Sequence, residues 1–232
     1  MRKHAITLVL LPGMDGTGSL FQPLIDCSGD FFDIRVISYP TDEALGYEAL
    51  EWMVLSSLPR GEPYILLGES FSGPIAISIA ATRPPGLIGL VLCSTFAVSP
   101  RPAVTALWAM ATAFPPRLAP SVALEYLLLG RFSSKALSSA LSAAIRPMSP
   151  AVFSARVRAI HNVNVLPKLK YVSVPILYLQ ALEDRLVPRS AAGLMQIEVP
   201  GTRVVSVVAP HCLLQTAPGE AAAAIGAFAE QL

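Results

Sequence analysis

Residues 64–74 read Tyr64-Ile65-Leu66-Leu67-Gly68-Glu69-Ser70-Phe71-Ser72-Gly73-Pro74, and no other stretch constrains the fold as much. Tyr64 to Leu67 is a short apolar run, as expected of a strand buried on both faces. Gly68 and Gly73 bracket a sharp turn, and Ile75-Ala76-Ile77-Ser78-Ile79-Ala80-Ala81 reads as a buried helix. A strand, a tight turn with Ser70 at its apex and a helix together lift a hydroxyl out of the sheet. The start of the helix beneath it offers backbone N–H groups and the positive end of a dipole. The usual pattern is Gly-x-Ser-x-Gly; here Ser72 stands at the second Gly position, with Gly73 next to it. Ser72 is expected to pack between helix and strand as a stand-in for Gly, with Gly73 giving the clearance. The plainer reading is a strand-to-helix connection whose Ser only caps the helix.

The flanking sequence extends this unit. A strand over 5–11 leads into the loop Pro12-Gly13-Met14-Asp15-Gly16-Thr17-Gly18 and a short helix capped at Gly18 or Ser19. A strand over 34–39 stops at Pro40, and Thr41 or Asp42 caps a helix through Leu45, Leu50, Trp52, Met53 and Leu55 that ends near Pro59. After the Ser70 turn and its helix, 87–93 is another strand. Alternating strands and helices predict an α/β fold with a mostly parallel sheet and helices on both faces. The active crevice of such a sheet lies beyond the C-terminal strand ends. The pattern breaks between Pro100 and Pro167, where proline-cut helical pieces over 103–114, 122–129, 135–145 and 150–160 replace strands. We read residues 97–167 as an inserted helical lid, and residues 1–96 and 168–232 as the core. Leu107, Trp108, Met110, Phe114 and Phe132 are candidates to face a ligand, although ordinary packing onto the sheet explains each one singly. The core resumes with a strand over 174–180, a helix over 190–196, a strand over 203–208 and an Ala-rich helix over 218–231.

Composition narrows the function. Of 232 residues, 53% are apolar and 14% charged, with a net charge of +1, which gives no footprint for nucleic acid or an anionic membrane. No apolar run approaches the ~20 residues of a membrane helix, and 5–11 reads as a strand rather than a leader. Cys27, Cys93 and Cys212 form neither a disulfide framework nor a metal spacing, so no metal or other cofactor and a cytoplasmic location are expected. The glycines of 13–18 have the wrong spacing for a dinucleotide fingerprint.

Ser70 needs a base, an acid to orient it and donors for an oxyanion. His4 precedes the first strand and His161 lies in the inserted segment, whereas His211 directly follows the last strand on the same sheet edge as Ser70. Asp184 follows the strand over 174–180, with Glu183 beside it as the alternative; a turn carboxylate is the plainer reading of Asp184. The order Ser70, Asp184, His211 puts three candidates at three strand ends. Phe71 N–H and Met14 N–H are the candidate oxyanion donors, and Asp15 either braces its loop or simply sits in a turn. Arg131, Arg156, Arg158 and His161 either bind an anionic group or lie on solvated helix faces.

With Leu11-Pro12-Gly13, the Gly68-to-Gly73 turn, Asp184-Arg185-Leu186-Val187-Pro188 and His211 in place, the chain resembles the α/β-hydrolase superfamily over nearly its whole length. The resemblance implies Ser70 as nucleophile, Asp184 as acid, His211 as base, a lid after the strand ending at Cys93, and a six-stranded sheet lacking the family's two N-terminal strands, in order 4-3-5-6-7-8 by family numbering. The segments Leu11 to Gly18 and Gly68 to Phe71 also look like the hydrolase-like part of plant phytyl-ester-synthase and diacylglycerol-acyltransferase proteins. The expected activity is cleavage of a carboxylic ester or thioester bearing an apolar acyl group, by a serine hydrolase. Acyl transfer to an alcohol, C–C bond hydrolysis and ligand binding without turnover are the alternatives.

Overall fold

The computed structural model describes residues 6–103 and 121–232. Six strands form one sheet in the order β2-β1-β3-β4-β5-β6, and every neighbouring pair is parallel. They are β1 (Ile6–Leu11), β2 (Phe32–Val36), β3 (Tyr64–Glu69), β4 (Leu87–Cys93), β5 (Ile176–Ala181) and β6 (Arg203–Val207). This is the expected six-stranded α/β architecture and strand order. Strands β1 and β3 are buried along almost their whole length, which is why they read as continuous apolar runs rather than alternating ones.

Helices cover both faces. On one side α1 (Gln22–Ser28), α8 (Leu213–Thr216) and α9 (Pro218–Ala229) pack over Leu8, Leu10, Ile65 and Leu67. On the other, α2 (Tyr47–Ser57), α3 (Gly73–Ala81) and α7 (Ser190–Glu198) cover Val9, Leu11, Leu66 and Leu90. Helices α4 (Ser121–Leu128), α5 (Lys135–Ile145) and α6 (Pro150–Asn162) lie between β4 and β5, close to the expected 122–129, 135–145 and 150–160. The helix expected over 103–114, with Leu107, Trp108, Met110 and Phe114, falls almost wholly outside the described residues. The two ends of this inserted stretch are pinned together at its base: Val98 pairs antiparallel with Asn164, and Val165 N–H donates to Ala97 O at 2.8 Å.

Two elements differ from expectation. The second strand is Phe32–Val36, not 34–39, because its register with β1 runs from Ile6↔Phe32 to Leu10↔Val36 and then leaves the sheet. Tyr39 turns away with its ring buried and its N–H on Gly16 O at 2.7 Å. Helix α2 starts at Tyr47 after Gly46, without a Thr41 or Asp42 cap. The carbonyl of Thr41 instead accepts Ser149 N–H at 2.8 Å, so this turn is committed to holding the start of α6. Trp52, counted on the apolar face of α2, is 69% exposed, while Leu50 and Val54 make the buried stripe.

The order in which strands are added reverses between β1 and β3: β2 lies to one side of β1, and β3 and every later strand lie to the other. A crevice opens at such a switch point. The pairing Leu11↔Gly68 brings the ends of β1 and β3 side by side, so the Pro12–Gly18 loop and Ser70 emerge together.

Candidate active site

Ser70 occupies the left-handed region at φ 49°, a conformation that non-glycine residues avoid unless the surrounding structure enforces it. The enforcement is steric. A Cβ on Gly68 would come within 2.8 Å of both Ala76 Cβ and Ser72 O. A Cβ on Gly73 would lie 1.9 Å from Thr95 Oγ1 and 2.5 Å from Thr95 Cγ2. Thr95 in turn donates its hydroxyl to Ser70 O, and its own carbonyl accepts Tyr178 Oη–H at 2.6 Å. Gly73→Ala is therefore expected to cost about 2–3 kcal/mol by overpacking and to lower the melting temperature by roughly 5–10 °C. Calorimetry of the variant checks this, and an unchanged melting temperature would refute the clearance role.

Ser72 does more than stand in for glycine. It is fully buried, its hydroxyl donates to Pro12 O, and Tyr39 Oη lies 2.7 Å from its Oγ. The residue thus stitches the Ser70 turn to the loop after β1. The distant partners Pro12 and Tyr39 leave no mark near Ser72 in the sequence.

His211 stands beyond β6, with Nε2 2.7 Å from Ser70 Oγ and Nδ1 2.8 Å from Asp184 Oδ2. The His211 and Asp184 side chains are 6% and 3% exposed. The other oxygen of Asp184 accepts Leu186 N–H at 2.8 Å and Val187 N–H at 2.9 Å. Asp184 is therefore both the turn carboxylate of the plainer reading and the partner of the histidine. Burial opposes charge on His211, but Asp184, by attraction and hydrogen bond, and the charge of Glu69 together raise its pKa above the ordinary value. The structure thus brings Ser70, Asp184 and His211 into one chain of hydrogen bonds. Glu183 points elsewhere, to a surface pair with Arg131 at 2.6 Å.

The loop after β1 is held group by group. Gly13 O accepts Gly16 N–H at 3.1 Å, and Asp15 Oδ1 accepts Thr17 N–H at 2.9 Å. Asp15 braces the loop. Met14 N–H meets no acceptor among the described residues. Arg156 Nη1 donates to Met14 O at 2.7 Å and its Nη2 to Pro40 O at 2.8 Å. Arg156 is 1% exposed, so it is not on a solvated helix face. Its i, i+4 relation to the buried Val152 was the available sequence signal.

Above Ser70 lies a cavity of about 160 Å³, walled on the sheet side by Met14, Phe96 and Val187 and on the inserted side by Leu128, Leu141 and Ile145. Glu69, at its floor, was missed by sequence reasoning, although a carboxylate ending a buried apolar run was a visible signal. Its Oε1 accepts Gln215 Nε2–H at 3.0 Å. Burial, reinforced by Asp15, pushes its pKa to about 7, against the hydrogen bond from Gln215, the attraction of His211 and the Gly13 N–H. A carboxyl raised in the folded state contributes stability that is complete below its unfolded pKa, near 4.5, and lost as pH rises to about 7. The difference amounts to about 3 kcal/mol. Glu69→Gln is expected to gain roughly 6–10 °C in melting temperature relative to the wild type between pH 4.5 and pH 8. A pH-independent gap between the two proteins would refute this account.

A six-stranded parallel sheet with a strained serine turn at its switch point defines an α/β hydrolase. The family model of serine aminopeptidase S33 matches residues 52–213, and the chain belongs to that hydrolase family. Among solved structures, a hydrolase from Oleispira antarctica superposes with a TM-score of 0.84 at 16% identity, covering 98% of this chain and 92% of that one. The enol-lactonase of Burkholderia xenovorans gives a TM-score of 0.83 at 16% identity, over 100% and 92%. A lipase-esterase related protein from Clostridium acetobutylicum gives 0.82 at 15%, over 98% and 96%. These likenesses establish the shared fold. In sequence, phytyl ester synthase 1 of Arabidopsis thaliana, a chloroplastic protein, is 33% identical over 85 residues, 34% of this chain and 12% of that protein's length. No helix among the described residues is long and apolar enough to cross a membrane.

Proposed function

We propose that the protein is a serine hydrolase that cleaves a carboxylic ester or thioester through an acyl-enzyme on Ser70. The observation that carries this reading is the unbroken series Ser70 Oγ, His211 Nε2, His211 Nδ1, Asp184 Oδ2, at 2.7 and 2.8 Å, at the floor of an apolar cavity. His211 takes the serine proton as Ser70 attacks the carbonyl, and Asp184 holds the tautomer that leaves Nε2 free to accept it. Met14 N–H and Phe71 N–H bind the oxyanion; the unclaimed Met14 N–H and the position of Phe71 at the start of the turn before α3 support these roles. His211 then returns its proton to the leaving group and activates the water that frees the acyl chain. The balance is one ester bond and one water consumed, with an acid and an alcohol, or a thiol, released.

Within the 97–167 insertion, the described helices α4, α5 and α6 act as a lid over this site, and the apolar walls suit a neutral acyl chain rather than a charged head. The chain's near-zero charge supports a small-molecule substrate over nucleic acid. Three unpaired cysteines fit a reducing cytoplasm. The test is labelling with a fluorophosphonate probe, followed by a chain-length panel of p-nitrophenyl esters. Stoichiometric labelling on Ser70 and ester turnover are expected, and an unlabelled, folded protein would return the chain to the reading of a ligand-binding protein. The similarity to a phytyl ester synthase favours one second reading, acyl transfer to a long-chain alcohol on the same residues. Product analysis with a competing fatty alcohol separates the two.

A further inference from the structure

We infer that Arg156 is a positioning residue of the oxyanion site, reaching from the inserted helix α6 to set the direction of Met14 N–H. The inference rests on the reading of Ser70 as the nucleophile. Its first support is the choice of partners. The guanidinium is 1% exposed, yet it donates to two backbone carbonyls, Met14 O at 2.7 Å and Pro40 O at 2.8 Å, one from the loop after β1 and one from the loop after β2. Its Nε is buried without a hydrogen-bond partner among the described residues. A buried cation with one orphaned N–H is a costly way to gain stability alone.

The second support is what else the group touches. The guanidinium carbon lies 5.8 Å from the ring centroids of both Tyr39 and Phe71. Tyr39 bonds Ser72, and Phe71 carries the other oxyanion donor. One side chain therefore contacts both residues that supply the hole. Gly16 makes room for it: a Cβ there would lie 2.6 Å from Nη1.

The third support is geometric. Because each residue has only two soft dihedrals, the peptide plane between Gly13 and Met14 is fixed once its neighbours are fixed. The plane before it is held at Pro12 O by the Ser72 hydroxyl. The plane after it is held by Arg156 at Met14 O. The plane itself has one direct tie, Gly13 O accepting Gly16 N–H at 3.1 Å; without the Arg156 clamp that single bond is left to set the direction of Met14 N–H, and a displacement of about 1 Å costs on the order of a hundredfold in rate.

Arg156→Lys and Arg156→Met test this, with kcat normalised to the Ser70 sites titrated by fluorophosphonate. Both are expected to lose about 30–100-fold in kcat with KM changed less than about threefold, Lys the less affected because an ammonium reaches one carbonyl but not both. Affinity for an aryl trifluoromethyl ketone, which forms an oxyanion on the serine, should fall in step, while affinity for the matching non-fluorinated ketone is unchanged. A purely structural Arg156 would lower the melting temperature and the number of titratable sites but leave kcat per site and the ketone ratio at wild-type values, and that result overturns the inference. Arg156→Lys keeps the charge and stem, and carries the test if Arg156→Met does not fold. Failure of the wild type to label at Ser70 is a different result and sinks the underlying reading of the site instead.

Discussion

Ser70→Ala is expected to lower kcat on a p-nitrophenyl ester by about 10⁵-fold, with fluorophosphonate labelling abolished and the melting temperature within a few degrees of the wild type. Such a loss corresponds to about 7 kcal/mol of transition-state stabilisation. It follows from the geometry: Ser70 Oγ is held 2.7 Å from His211 Nε2, and the strained turn at φ 49° presents it to the cavity. Removing one hydroxyl leaves the sheet, the cavity and the proposed oxyanion donors in place, so binding is expected to persist while covalent chemistry stops. Burst kinetics with a chromogenic ester provides the readout. A variant retaining more than about a tenth of wild-type activity would exclude the acyl-enzyme.

Asp184→Asn is expected to cost about 10⁴-fold in kcat near neutral pH. The reason lies in two backbone N–H groups. Leu186 and Val187 both donate to Asp184 Oδ1, at 2.8 and 2.9 Å, so an Asn in that slot must turn its carbonyl oxygen toward them. Its NH₂ then faces His211 Nδ1, which must become an acceptor, and the ring proton moves to Nε2. A proton now points at Ser70 where a lone pair is needed. The substitution also removes a charge that raises the pKa of His211, leaving burial, which lowers it, less opposed. Nitrogen-15 NMR of the imidazole should report the switched tautomer, and a variant that keeps the Nδ1–H tautomer together with its activity would contradict the argument.

Much of this site was legible because it is built from strand ends. Ser70 and Asp184 each follow a run whose apolar character marks a buried parallel strand, His211 follows the partly exposed edge strand β6, and a parallel sheet gathers all such ends on one edge. Strand order followed in the same way from the resemblance to known hydrolases. The supporting contacts were less legible. Ser72 looked like a steric compromise at a glycine position, but its hydroxyl joins Pro12 and Tyr39, 60 and 33 residues away. Arg156 looked like one of several surface cations, because nothing local says that the carbonyls of Met14 and Pro40 converge on it. The start of α2 was misplaced for a related reason: Thr41 and Asp42 have good capping chemistry, but a tertiary bond from Ser149 claims the Thr41 carbonyl.

The sequence by itself determined the α/β class, the run of parallel strands, the serine turn and the identity of the three residues now linked by hydrogen bonds. All of these depend on local signals, namely apolar runs, glycine punctuation and position relative to a strand end. Only the tertiary structure decided how the Pro12–Gly18 loop is held, which carboxylate is buried at the cavity floor, and which cation lies buried against the loop. Those outcomes depend on where backbone carbonyls far apart in the chain come to point, and on how much water is excluded there; neither is a property of any local stretch.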